Sequence, residues 1–180
     1  MLTVGHSNRS VEELIELLRE AGVRRLVDIR SRPVSRRHPW FDREALEAAL
    51  AGAGIAYSWE GRNLGGLRRS EPSDAERHPG LRDAGFRAFA RHMEGPDFRE
   101  GLDAVLEGPG KTTALMCAEA DPARCHRSLI ADFLEVVRGK PVFHIMGPGD
   151  TRRHAPHPAA RAIGGILRYQ DPGGQLPLDL

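Results

Sequence analysis

Apolar residues along the chain alternate between short contiguous runs and stretches at helical spacing. Leu2-Thr3-Val4 is a brief apolar start. Behind it Val11, Leu14, Ile15, Leu18 and Ala21 share one helical face, with Ser10 and Glu13 placed as a capping box and Gly22 as the stop. Leu26-Val27-Asp28-Ile29 reads as a buried strand. A second helix is predicted behind Asp42, with Ala45, Leu46, Ala49 and Leu50 inward, and a third strand at Ile55–Trp59. The polar stretch from Arg68 to about Gly80 reads as a loop. Two helices follow, one through Phe86, Phe89, Ala90 and Met93, the other opened by Pro96 and continued by Phe98, Leu102, Val105 and Leu106. Thr112–Met116 is a strand that delivers Cys117. Asp121-Pro122 reads as the cap and first residue of a helix running through Leu129, Ile130, Phe133, Leu134 and Val137 to Gly139, and Val142–Met146 is the last strand.

Strands alternate with helices throughout. That pattern predicts a single three-layer α/β domain over residues 1–146, with a mostly parallel sheet and helices on both faces. Residues 147–180, rich in Gly, Pro, His and Arg, are expected to form an extended C-terminal tail. No apolar run approaches the roughly 18 residues of a membrane span, and the start lacks a basic segment followed by an apolar one. These features predict a cytoplasmic protein with no membrane partner. With 40% apolar and 28% charged residues the composition is that of a folded chain. The net charge of +1 excludes nucleic-acid binding by bulk charge, though not by a local patch.

Ligands in parallel sheets bind beyond the carboxyl ends of the strands. His6, Arg30, Asn63 and Cys117 each follow a predicted strand, so four loops are expected to converge on one edge. The richest is Cys117-Ala118-Glu119-Ala120-Asp121-Pro122-Ala123-Arg124-Cys125-His126-Arg127. A cysteine beside a helix N-terminus and cationic neighbours is biased toward thiolate. Either Cys117 or Cys125 can then serve as nucleophile, with His126 or His6 as acid/base and Glu119 as orienter or proton shuttle. Arg30 and Arg127 are candidate anion clamps, Ser7 and Arg32 flank them, and Asp28 is placed to hold Arg30 or His6. Cysteine-phosphatase, rhodanese-like and zinc-deaminase signatures are each near this pattern, and none matches it. Cys117, Cys125, His126 and His6 also form a donor set of the kind that suits zinc, at no standard spacing.

Thr3-Val4-Gly5-His6-Ser7-Asn8, then Val27-Asp28-Ile29-Arg30-Ser31 with Pro33 and Ser35, then Cys117-Ala118-Glu119 with Cys125-His126-Arg127, resemble the bacterial domain-of-unknown-function family 488. The resemblance implies an α/β domain and supplies no substrate. Some members of that family carry a DNA-repair label. The resemblance extends to the motif positions His6, Ser7, Asp28, Arg30, Cys117, Glu119, Cys125, His126 and Arg127.

Arg30, Arg32, Arg36, Arg37 and His38, with Trp40 and Phe41 beyond, combine cations with rings that can stack on bases. The alternative is a solvated loop whose arginines pair with Glu12, Glu16 and Glu20. A second basic cluster is Arg152, Arg153, His154, His157 and Arg161. The end of the chain, with Gln175, Leu176, Leu178 and Leu180, resembles the short peptides that dock repair proteins on the DNA sliding clamp. The expected function is a Cys/His-site enzyme acting on a nucleotide or nucleic acid, in the context of DNA repair. The rivals are a non-enzymatic module that binds nucleic acid or a repair partner, and a metal-dependent hydrolase.

Overall fold

The computed structural model describes residues 1–108 and 112–171. In chain order the elements are strand β1 (Leu2–Gly5), helix α1 (Val11–Glu20), β2 (Arg25–Asp28), α2 (Arg43–Gly52), β3 (Ala56–Trp59), the short helices α3 (Gly61–Leu64) and α4 (Asp74–Arg77), α5 (Ala84–Met93), α6 (Pro96–Leu106), β4 (Thr113–Cys117), α7 (Arg127–Asp132), β5 (Phe143–Gly147), β6 (Asp150–Arg153), β7 (Ala160–Ile163) and β8 (Ile166–Tyr169). The Ser10/Glu13 capping box is present at α1. The main sheet runs β3-β2-β4-β1-β5-β6. Its first five strands are parallel, and β6 pairs antiparallel with β5.

Side chains alternate across each strand, so one strand feeds two cores. Leu26, Ala114 and Met116 point into the layer that holds Leu14, Leu18, Leu46 and Leu50 of α1 and α2. Val27, Leu115 and Cys117 point into the layer that holds Phe89, Phe98, Leu102, Leu129 and Ile130 of α5, α6 and α7. The three-layer α/β architecture follows from this division.

The strand order determines where a site can form. From β1 the chain moves by α1 to β2, passing β4, while from β4 it moves by α7 to β5, passing β1. These two crossovers leave neighbouring strands on opposite faces and in opposite directions. The carboxyl ends of β1 and β4 therefore diverge from a crevice, the topological switch point of an open parallel sheet. Gly5 lies beside Cys117 in the register.

From Gly147 to Tyr169 the chain is extended, but as strands folded onto the domain. β7 and β8 form a hairpin whose Ala160, Leu167 and Tyr169 enter the α5–α7 core. The boundary expected after residue 146 thus falls inside β5, and the fold continues through Tyr169. The clamp-like peptide with Gln175, Leu176, Leu178 and Leu180 lies outside the described residues. Asp121-Pro122 opens a single 3₁₀ turn, Pro122–Arg124, and the helix starts afresh at Arg127. Asp42 makes no side-chain cap on α2 and accepts instead from the backbone N–H of Ser35 at 2.6 Å, which ties down the arginine loop. No helix among the described residues is long and apolar enough to cross a membrane.

Candidate active site

Cys117 is the last residue of β4, and Cys125 follows the 3₁₀ turn that leads to α7. The intervening loop folds back and brings Cys125 Sγ to 2.8 Å from Cys117 Sγ. Both are free thiols with little exposure. That separation lies between a bonded S–S distance of about 2.05 Å and the contact distance of two sulfur atoms. His126 turns Nδ1 toward both, at 3.8 Å from Cys117 Sγ and 3.6 Å from Cys125 Sγ. Its ring packs edge-on against Phe89, with centroids 5.0 Å apart. A Cβ on Gly66 would strike the His126 ring, so glycine there lets the loop after β3 close over it.

The two thiols are electrostatically unequal. Cys125 donates its S–H to Cys117, and that hydrogen bond is the largest influence on Cys117, pulling its pKa well below that of an ordinary thiol. Burial opposes the shift, and His126 reinforces it. Cys125 is pushed far up by the same hydrogen bond and by burial, although the backbone N–H of Arg127 also points at its sulfur from 3.5 Å. The arrangement therefore favours negative charge on Cys117 and the proton on Cys125.

Arg127 is fully buried at the start of α7 and donates to the carbonyls of Glu119 and Ala120. It holds the Cys117 loop in place, and its guanidinium is not offered to a ligand. Gly5 serves the same loop, because a Cβ there would overlap the Glu119 carbonyl. Backbone bonds from His6 N to Cys117 O at 2.9 Å and from Ser7 N to Ala118 O at 2.8 Å extend the β1–β4 ladder past the strand ends. Ser7 takes a φ of 53°, a left-handed conformation that non-glycine residues rarely adopt outside special sites.

Arg30 is likewise occupied. Its Nη2 donates to Asp28 Oδ2 at 2.6 Å and its Nε to Asp28 Oδ1 at 2.9 Å. Nη2 also reaches the Phe41 carbonyl at 2.8 Å, and Nη1 stands 3.3 Å from His6 Nε2. Tyr57 donates its hydroxyl to the same Asp28 carboxylate at 2.9 Å. His6 Nδ1 lies 2.9 Å from the Ser7 carbonyl, so the consistent tautomer is protonated there and accepts from Arg30. Burial, then the Arg30 charge, lowers the His6 pKa to about 4. His6 is thus a neutral wall of the site at physiological pH, and His126 is the histidine in contact with sulfur.

A cavity of about 400 Å³ opens on this cluster. Both cysteines, His126, His6, Arg30 and Glu119 line it, together with Arg32 and Arg124. Arg32 and Arg124 are exposed and form no ion pair among the described residues. Arg124, Asp83 and Phe86, all in the wall, are not among the site residues expected from the sequence. Asn63 stays outside the lining: its carbonyl accepts from His92 and its side chain packs against Gly101. The loop after β3 still reaches the cavity, through Gly66 and Leu67, so all four strand-end loops meet there.

The second basic cluster does not form a patch. Arg152 pairs with Asp150 and Arg153 with Glu135. His154 is buried in a chain that runs from Thr3 through His144 and His154 to Asp132, where Tyr169 also donates. This chain borders a larger cavity of about 900 Å³ that shares Asp83 and Phe86 with the thiol site. Its buried polar groups are satisfied by one another, and no sequence spacing announces residues so far apart.

As a metal centre the site is three donors, Cys117, Cys125 and His126. His6 is not among them. Three would suffice for a zinc ion with an open position, and the nitrogen–sulfur distances suit it. The sulfurs do not, because two thiolates on one tetrahedral zinc at about 2.3 Å would stand about 3.7 Å apart. The set as placed fits a hydrogen-bonded thiol pair better than a zinc ion.

Fold and site together define a doubly wound α/β protein with a thiol pair at its switch point. The chain belongs to the family described as Domain of unknown function DUF488, whose match covers residues 10–134. That span holds the site residues except His6 and Ser7. No curated protein and no solved structure matches the chain.

Proposed function

We propose that the protein is a thiol-dependent enzyme in which Cys117 attacks an electrophilic centre of a small substrate. The observation that carries this reading is the 2.8 Å contact between Cys117 and Cys125 at the floor of an open cavity. A buried thiol is ordinarily inert, because burial favours the neutral form. Here a second thiol and a histidine reverse that tendency at one sulfur only. Cys117 supplies the electron pair, Cys125 and His126 stabilise its charge, and His126 is the nearest group to move a proton. Arg127, Gly5 and the Asp28–Arg30 pair position the loops.

Selective labelling tests the assignment. One equivalent of iodoacetamide on the native chain is expected to modify Cys117 in large excess over Cys125, read by peptide mass mapping. Equal labelling, or preference for Cys125, would reject Cys117 as nucleophile.

A second reading, not exclusive of the first, is supported by the loop after β2. Arg32, Arg36 and Arg37 are exposed there, and Trp40 keeps 38% of its surface beside them. None of the three arginines pairs with Glu12, Glu16 or Glu20 among the described residues. Cations interleaved with a stackable ring suit a nucleotide or single-stranded nucleic acid, and such a substrate would fit a role in DNA repair. Binding of a labelled single-stranded oligonucleotide should weaken with salt, and Arg36→Ala and Arg37→Ala should each reduce the log–log salt slope by about one. Binding unchanged by salt or by both substitutions would dismiss this reading.

A further inference from the structure

The role of Cys125 narrows the substrate. A hydrogen bond to a thiolate does not require a second sulfur, since a hydroxyl or a backbone N–H supplies one. A second sulfur at 2.8 Å is within reach of a covalent bond to the first after a small side-chain rotation. That reach has no use if Cys117 carries an acyl or phosphoryl group, whose reacting atom is carbon or phosphorus. It has one if Cys117 carries a sulfur, because Cys125 can then attack Cys117 Sγ itself.

Resting on the thiol-enzyme reading, we infer that the site performs thiol–disulfide exchange on small disulfides, with Cys117 attacking and Cys125 resolving. The Cys117 thiolate attacks one sulfur of the disulfide. The Cys117–sulfur bond forms, the substrate S–S bond breaks, and one thiolate departs. That thiolate takes the Cys125 proton. Cys125 then attacks Cys117 Sγ, the intramolecular disulfide forms, and the second substrate half leaves as a thiolate. The substrate gains two electrons and becomes one thiol and one thiolate, the thiolate taking its proton from water, and the protein loses two electrons. A low-molecular-weight thiol returns the protein to its dithiol by the reverse steps.

The cavity also bears on the ends of the substrate. Its wall carries charges of both signs, Arg32 and Arg124 against Asp83 and Glu119. Arg30 adds no net charge, because Asp28 neutralises it. A disulfide bearing both carboxylate and ammonium groups matches such a wall better than a polyanion does. The cavity of about 400 Å³ admits one arm of such a molecule, with the other at the open mouth.

Glutathione disulfide is a probe of this class. Reduced full-length protein is treated with it and analysed intact and as peptides. The wild type is expected to end two hydrogens lighter, with Cys117 joined to Cys125 and two glutathiones released per chain. In Cys125→Ser the glutathione should stay on Cys117, rising from no detectable adduct in the wild type to one per chain. Cys125→Ala provides the same comparison if the serine variant fails to fold, and the wild-type product stands without either. A wild-type chain that keeps glutathione on Cys117 while Cys125 remains alkylatable would overturn the resolving role and leave the Cys117 nucleophile standing. No reaction in the native state, with full reaction after denaturation, would overturn both.

Discussion

Replacing Asp28 with alanine is expected to cost the fold about 3–5 kcal/mol, the range for breaking a buried ion pair by removing one partner. Asp28 is fully buried at the end of β2 and accepts from Arg30 and Tyr57. Arg30 keeps only 6% of its surface, so without Asp28 its charge has no counter-ion and little access to water. His6 and the Phe41 carbonyl remain as its partners, and neither carries a compensating charge. Asp28→Asn should cost a similar amount, because it preserves the shape and leaves the charge uncompensated. Combining Asp28→Asn with Arg30→Met should recover part of the loss, since the cost lies in the stranded charge. Urea denaturation followed by circular dichroism measures all three. A loss below about 1 kcal/mol for Asp28→Ala, the level of an exposed pair, would contradict this account of the β2 edge.

The same pair shows where sequence reading stops. Asp28, Arg30 and His6 are visible as polar residues beyond strand ends, and the five parallel strands are visible as apolar runs between amphipathic helices. Where the donors of a guanidinium point is not written in spacing. Arg30 and Arg127 look alike as candidate anion clamps, yet one is consumed by Asp28 and the other by the carbonyls of its own loop. The exposed cations, Arg32 and Arg124, are ordinary loop residues in sequence. Strands β6, β7 and β8 are four residues each, and β6 reads Asp-Thr-Arg-Arg, with no alternation to mark it. Tyr169 belongs to the core because the β7–β8 hairpin folds back onto α5 and onto the helical turn Phe133–Val137 that continues α7, a long-range contact that local pattern does not encode. The Cys117 segment is the opposite case. A strand that ends in cysteine and a second cysteine just ahead of a helix already imply that the two can meet. The proline turn between them accounts for how closely they do.

Cys117 is expected to react with a pH dependence displaced toward acid from that of a free thiol. An ordinary thiol with a pKa of about 8.5 is ionised to about one part in 300 at pH 6, so its alkylation slows about 300-fold from its plateau. A thiol whose pKa is lowered stays ionised as pH falls, and its rate stays near the plateau until pH passes below the lowered value. Cys117 is lowered chiefly by the Cys125 hydrogen bond, so the rate there should depend on a neighbouring residue that iodoacetamide need not touch. Cys125→Ala removes that donor and should move the profile back toward higher pH, whereas His126→Asn should move it less. Circular dichroism confirms that each variant is folded. The direct measurement is the iodoacetamide rate at Cys117 in wild type and Cys125→Ala, from about pH 5 to 9, resolved by peptide mass mapping. The wild-type rate at about pH 6 is expected to fall short of its plateau by clearly less than the roughly 300-fold of a free thiol, and the variant's rate to fall further. A wild-type profile with the midpoint of a free thiol, or one unmoved by Cys125→Ala, would contradict it.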